Sequence, residues 1–215
     1  MWLILGAVLV LLLAKPLVGA YRGSVPTIVA SWDAADRPTA FDADLRAHLS
    51  AEDFVDAGAH HIQLSGFDAV MHLWQRHDGT VVAGLSRPDG TLPAHYVTTL
   101  LGEGRGWLES RTTDRTPGPR QELMQVVPDG DLAELMRVHD RALDTIVSLG
   151  VSPVRTIDPV EMVMIQGRVT RRSMRHNPFR WLVGMVGKAV APDRPQQLAM
   201  GPTLDRRVRA LRLAG

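Results

Sequence analysis

The chain has no cysteine. That excludes disulfides, thiolate nucleophiles, Cys-ligated zinc and thioether-attached haem. It leaves the compartment open, because a reducing cytosol and an unbridged exported protein both tolerate the lack. Aromatic residues make up only 5% of the 215 residues, so the 45% hydrophobic content that must supply a core is mainly aliphatic. No Lys or Arg precedes the first apolar run. No later run is long enough to read as a second membrane span.

Recognisable chemistry is also scarce. Ser86, in Gly84-Leu85-Ser86-Arg87-Pro88, lacks the closing glycine of a nucleophile elbow and sits in a hairpin. Gly102-Glu103-Gly104-Arg105-Gly106 has neither the spacing nor the following helix of a dinucleotide loop. Eight histidines invite a metal site, yet zinc needs three or four converging ligands, and adjacent His60 and His61 diverge on an extended strand. Neither a metal nor a cofactor is assigned. His139-Asp140 is no dyad by adjacency, since consecutive helical residues diverge.

What the sequence does carry is separated charge. Up to Gly167 there are 13 Lys/Arg and 21 Asp/Glu, a balance of −8; from Arg168 onward there are 11 and 2, a balance of +9. A basic arm of this kind suits an anionic membrane, a nucleic acid or the chain's own acidic body. No nucleic-acid reading module accompanies it, which sets that partner aside.

Trp2–Ala14 is unbroken apolar sequence, followed by Lys15, Pro16 and Leu17–Tyr21. To Ala14 a helix would span about 20 Å; continued to Tyr21 with Lys15 snorkelling, it reaches the roughly 30 Å of a bilayer core. Trp2 and Tyr21 would then lie at the two interfaces. The alternative is a signal peptide cut before Tyr21, after the small pair Val18 and Ala20, leaving a secreted body. The first positive residues, Lys15 and Arg22, follow the run, so a retained anchor puts the body on the cytoplasmic side.

From Asp68 to Val127 the chain reads as an antiparallel meander. Asp78-Gly79 signals a two-residue hairpin, and Arg87-Pro88-Asp89-Gly90-Thr91 a three-residue loop. With those loops Trp74 opposes Ala83 and Ala83 opposes His95. One face then carries Val70, His72, Trp74, Val81, Ala83, Leu85, His95 and Val97, and the other Met71, Leu73, Val82, Leu92, Tyr96 and Leu100. A fourth strand is expected near Trp107–Thr113 and a fifth over Glu122–Val127. Before the meander, Thr27–Ala30 reads as a strand. Asp42 caps a helix bearing Leu45 and Leu49, and Ser50–Asp53 opens a second short helix through Phe54 and Val55 to Gly58.

After it, Asp131-Leu132-Ala133-Glu134 starts an amphipathic helix through Leu135, Met136, Leu143, Ile146 and Val147, with His139 in its stripe and Gly150 as stop. Asp158-Pro159 begins another, apolar at first and then basic through Arg168, Arg171, Arg172 and Arg175. Past Pro178, the apolar stretch around Trp181 is flanked by Arg180 and Lys188, as an interfacial helix on an anionic leaflet requires.

The fold class expected is therefore α+β: a transmembrane helix, an antiparallel meander packed on a long amphipathic helix, and a basic helical C-terminal extension. The divisions fall at 1–22 (anchor or signal peptide), 23–157 (domain), 158–190 (basic amphipathic segment) and 191–215 (mobile basic tail). From Thr27 to Gly150 the order of elements resembles the helix-grip plan of the START-like and polyketide-cyclase superfamily. That resemblance implies a ligand pocket between sheet and long helix, lined by His72, Trp74, His95 and His139, in a small-ligand-binding or hydrolytic domain. The expected function is a non-enzymatic binding domain held at anionic membrane lipid through Arg168, Arg171, Arg172, Arg175, Arg180, Trp181 and Lys188. The remaining alternative is an accessory subunit docking a membrane-protein partner.

Overall fold

Strand β1 (Thr27–Trp32), helix α1 (Ala43–Ala51) and strands β2 (Phe54–Leu64), β3 (Phe67–Arg76), β4 (Thr80–Ser86), β5 (Ala94–Leu101), β6 (Gly106–Arg111) and β7 (Glu122–Val126) precede three further helices. These are α2 (Leu132–Ser148), α3 (Pro159–His176) and α4 (Pro178–Val190). The computed structural model describes residues 18–19, 21–22, 25–32, 43–64, 67–86, 94–112, 118–128, 130–190 and 207–209. The strands form one seven-stranded sheet in sequential order, antiparallel except for its last pair, so the fold is α+β. The anchor expected over 1–22 falls largely on residues 1–17, outside the described residues. Among the described residues no helix is long and apolar enough to cross a membrane.

Both hairpin registers differ from expectation by one residue. Trp74 opposes Val82, and Ala83 opposes Tyr96. At the first turn the loop holds three residues, His77–Gly79. Only Gly79 takes positive φ (89°), while the Asp78 carboxylate accepts the Thr80 N–H at 2.9 Å and pairs with Arg76. Those contacts favour a type I turn closed by a left-handed glycine over the two-residue alternative. The second turn lies outside the described residues. Because the two slips compound, the β4 residues exchange faces while β3 and β5 keep theirs: His72, Gly84 and His95 occupy one row, and Trp74, Val82 and Val97 the next.

The second short helix is absent. Phe54 and Val55 open β2 instead, because Asp53 turns the chain at φ 61° and β2 pairs with β3 from Phe54↔Arg76 to Leu64↔Phe67. An extended ladder outweighs a local cap signal. Gly58 (φ 100°) stands in the bulge between Asp56 and Ala59. Strand β7 runs parallel to β6, not antiparallel: Trp107 donates to the Gln121 carbonyl and Val127 to that of Arg111, which brings Leu123 beside Leu108.

Each face of the sheet has its own cover. On one, α2 lays Leu132, Leu135 and Met136 on Val70, Trp74, Val82 and Val97, with Leu49 of α1 and Phe54 completing the layer. Further along it, Leu143 and Ile146 meet Leu101, Leu108 and Leu123. Large side chains buried this fully stabilise the fold by roughly 1.5–3 kcal/mol each. On the opposite face Met162 and its neighbours on α3 cover Met71, Leu73, Val81, Leu100 and Trp107, and Gln166 donates to Thr98 Oγ1 at 2.7 Å. The start of the expected C-terminal extension is therefore part of the domain.

The link between the helices passes around one end of the sheet. Val151 is buried under α2, Pro153 bridges to Leu101, and the Val154 N–H donates to the Leu100 carbonyl at 2.9 Å. The tail meets the domain where it is described. Residues 207–209 are helical, Val208 is buried beside Leu143 and Ile146, and Arg207 donates to the Glu122 carbonyl. An aliphatic residue amid arginines suffices to dock that turn.

Candidate functional site

Two polar regions stand out, and the residues expected to line a pocket fall in the first. His139 is fully buried on α2, its Nε2 2.8 Å from Thr99 Oγ1 and its Nδ1 3.1 Å from Ser110 Oγ. Thr80 Oγ1 lies 3.0 Å from Thr99 Oγ1, and Gln125 Nε2 donates to Ser110 Oγ at 3.0 Å. Burial, its main cause, lowers the His139 pKa to about 4, with Asp140 and Asp78 opposing and Arg76 adding to the shift. A neutral imidazole with both nitrogens engaged is a structural crosslink between helix and sheet.

Beside it Arg76 joins the hairpin to α2. It donates to Asp140 at 2.5 and 3.2 Å and to Asp78 at 2.8 Å, and stands over the Phe54 ring at 5.2 Å. Burial pulls Arg76 down, but the two carboxylates outweigh it and hold the guanidinium above its ordinary pKa.

His72 and Trp74 are both buried and meet edge-to-face, with centroids 5.2 Å apart. His95 is half-buried in the same face, and burial lowers its pKa. These three share a face, whereas His139 is held by Thr99 and Ser110 further along. Between sheet and α2, Trp74 packs with Leu49, Phe54, Leu135 and Met136 in the core. His60 and His61 occupy opposite faces, His60 against Ser31 and His61 against Asp68. Among the described residues no three His, Asp or Glu side chains come close enough to hold a metal ion.

The second region is the corner where α3 meets α4. Asp158 caps α3 by accepting the Glu161 N–H at 2.9 Å, with Pro159 at the first helical position. The helix turns basic only as it leaves the sheet. Arg168, Arg172 and Arg175 are exposed there. Asn177 breaks the chain and restarts it as α4, its Oδ1 accepting the Arg180 N–H at 3.1 Å.

Trp181 is turned inward at 2% exposure, its Nε1 donating to Ser173 Oγ at 3.2 Å. It clamps α4 to α3 and is not a surface residue; a ring flanked by cations reads the same in sequence whichever way it points. Its neighbours Phe179 and Val183, four apart on α4, are the exposed apolar pair, at 74% and 55%. The side chain of Lys188 lies outside the described residues.

Tyr21 reaches this corner from the other end of the chain. Arg171 and Arg175 stand over its ring at 5.3 and 5.5 Å, and Arg175 Nε donates to the Tyr21 hydroxyl at 2.5 Å. Val18, 47% exposed, joins Tyr21, Met174, Arg175 and Pro178 in a shallow apolar hollow.

Comparison with known protein families, with curated proteins and with solved structures gives no match. The helix-grip resemblance thus rests on element order alone, and one short helix, a parallel β7 and a helix on each face all depart from it.

Behind the corner lies a cavity of about 540 Å³, open to solvent, between α3, the start of α4 and the residues leading into β7. Arg172, Ser173, His176, Asn177 and Arg180 line it together with Arg120 and Gln121. Arg180 donates to the Gly118 carbonyl at 3.2 Å, which ties α4 to that loop. Sequence reasoning did not include Arg120; its only signal was a cation directly after Pro117-Gly118-Pro119.

Proposed function

We propose that this chain is a non-enzymatic binding domain held at an anionic membrane surface. Its amino-terminal apolar segment stays in the bilayer, and the α3–α4 corner lies on the headgroups. The observation that carries this reading is Tyr21, gripped by Arg171 and Arg175 beside Pro178. Tyr21 closes the apolar segment in sequence, and the corner it meets also bears exposed Phe179 and Val183 and exposed Arg168, Arg172 and Arg175. An apolar pair within a basic rim gains from both acyl-chain contact and a negative leaflet. By the order of charge around the segment, the body faces the cytoplasm.

The absence of cysteine makes a direct test simple. A Phe179→Cys chain carries a single thiol, and maleimide labelling in nanodiscs reads its exposure. Labelling several-fold slower in anionic than in neutral nanodiscs, and recovered in about 0.5 M salt, supports the reading. Equal rates in both contradict surface contact, and release of the chain by carbonate washing contradicts the retained anchor.

A further inference from the structure

We infer that the cavity behind the α3–α4 corner is a binding site for a phosphate monoester, borne by a lipid headgroup or a soluble molecule. This rests on the surface-binding reading only for the lipid source. Its volume, about 540 Å³, lies within the range of small-ligand sites.

The chemistry of the lining decides the ligand class. Arg120, Arg172 and Arg180 contribute three guanidiniums, and among the described residues no Asp or Glu lines the cavity. Among the described residues none of the three is in an ion pair, in contrast to Arg76 and Arg111. The neutral groups keep donors for the cavity. Asn177 Oδ1 takes the Arg180 N–H, leaving its NH2 to donate, and Ser173 Oγ takes the Trp181 N–H, leaving its O–H. His176 gives its Nδ1–H to the Arg172 carbonyl at 2.9 Å.

A cavity rich in donors, with no carboxylate among its described lining residues, fits an anion with several acceptor oxygens. A phosphate monoester brings three such oxygens and a charge of about −1.5 to −2. A guanidinium fork pairs with carboxylate and phosphate alike, but three guanidiniums match the greater charge and third oxygen of a phosphate monoester better than the two oxygens of a carboxylate. A phosphodiester or serine headgroup offers less charge and fewer free oxygens to the same lining.

The test uses the full chain in neutral nanodiscs, titrated calorimetrically with phenyl phosphate and, for comparison, acetate. Binding of phenyl phosphate, weakened at least about tenfold by Arg120→Gln and again by Arg172→Gln but not by Arg141→Gln on the exposed side of α2, supports the site. Equal, weak response to both anions, unchanged in the variants, overturns it. Nanodiscs doped to equal charge with phosphatidic acid or phosphatidylserine then distinguish the source. Stronger Phe179→Cys protection by phosphatidic acid, relieved by phenyl phosphate, identifies a lipid phosphate. Phenyl phosphate binding with no such preference identifies a soluble one. Salt-sensitive protection that ignores headgroup, without phenyl phosphate binding, removes the site and leaves the surface reading standing.

Discussion

Arg76 and Arg172 are the same kind of residue in opposite surroundings. Arg76 is bracketed by Asp78 and Asp140, its neighbour Thr80 leads through Thr99 to His139, and His139 leads to Ser110. In that seam donors and acceptors are matched inside the protein, and the result is a crosslink between α2 and the sheet. At the α3–α4 corner Arg172 and Arg120 are in no ion pair among the described residues, and apolar Phe179 lies open beside them. Charge compensated within the fold holds the fold together; charge left uncompensated near exposed apolar surface is available to something outside.

The contrast is broken most forcefully in the seam. His139→Ala removes a buried ring and the hydrogen-bond partner of Thr99 and Ser110, for an expected loss of about 3–5 kcal/mol in denaturant unfolding. Gly79→Ala comes next. A β-carbon there would stand 2.1 Å from the Val154 carbonyl oxygen at a φ of +89°, so a loss of about 2–3 kcal/mol is expected, with the hairpin forced off the α2–α3 link.

Acid should produce an effect of similar size. The folded-state pKa of His139 is lowered from 6.5 to about 4. Its contribution is therefore complete above pH 6.5 and fades as pH falls through 4, by about 3 kcal/mol in all. Burial lowers His60 and His95 as well, so both add to the loss in the same direction. Urea midpoints of the full chain in non-ionic detergent at pH 7 and pH 4.5 measure it, and His139→Gln should flatten the slope. A midpoint unchanged over that interval would mean that the imidazole is not buried neutral.

Asp131→Ala, which deletes the acceptor of the Glu134 N–H at the start of α2, should cost about 1 kcal/mol. The smallest effect on stability belongs to the corner. Arg168→Gln with Arg172→Gln should shift unfolding by less than about 0.5 kcal/mol while reducing salt-sensitive contact with anionic nanodiscs. A loss of several kcal/mol would make those arginines part of the fold and erase the distinction.

What the sequence disclosed was mostly local. Asp131 and Asp158 cap their helices by accepting from residues three ahead, and α2 follows the apolar spacing of Leu132, Leu135, Met136, Leu143 and Ile146. Registers were less accessible. Asp78-Gly79 is compatible with either loop length, and the choice depends on a side chain reaching Thr80 and Arg76. Phe54 and Val55 read as helix until a long β2 is there to pair with. Arg120 is some fifty residues from Arg172, and nothing near it reports their meeting. Trp181 was conspicuous in sequence but is turned inward, and the exposed ring beside it is Phe179.

Hydrogen exchange of the full chain, in nanodiscs with and without anionic lipid, tests the membrane assignment most directly. Added protection is expected over Arg168–Val190 with anionic lipid only, while β3, β4 and α2 exchange as before. Indistinguishable exchange over Arg168–Val190 in the two lipids would contradict it.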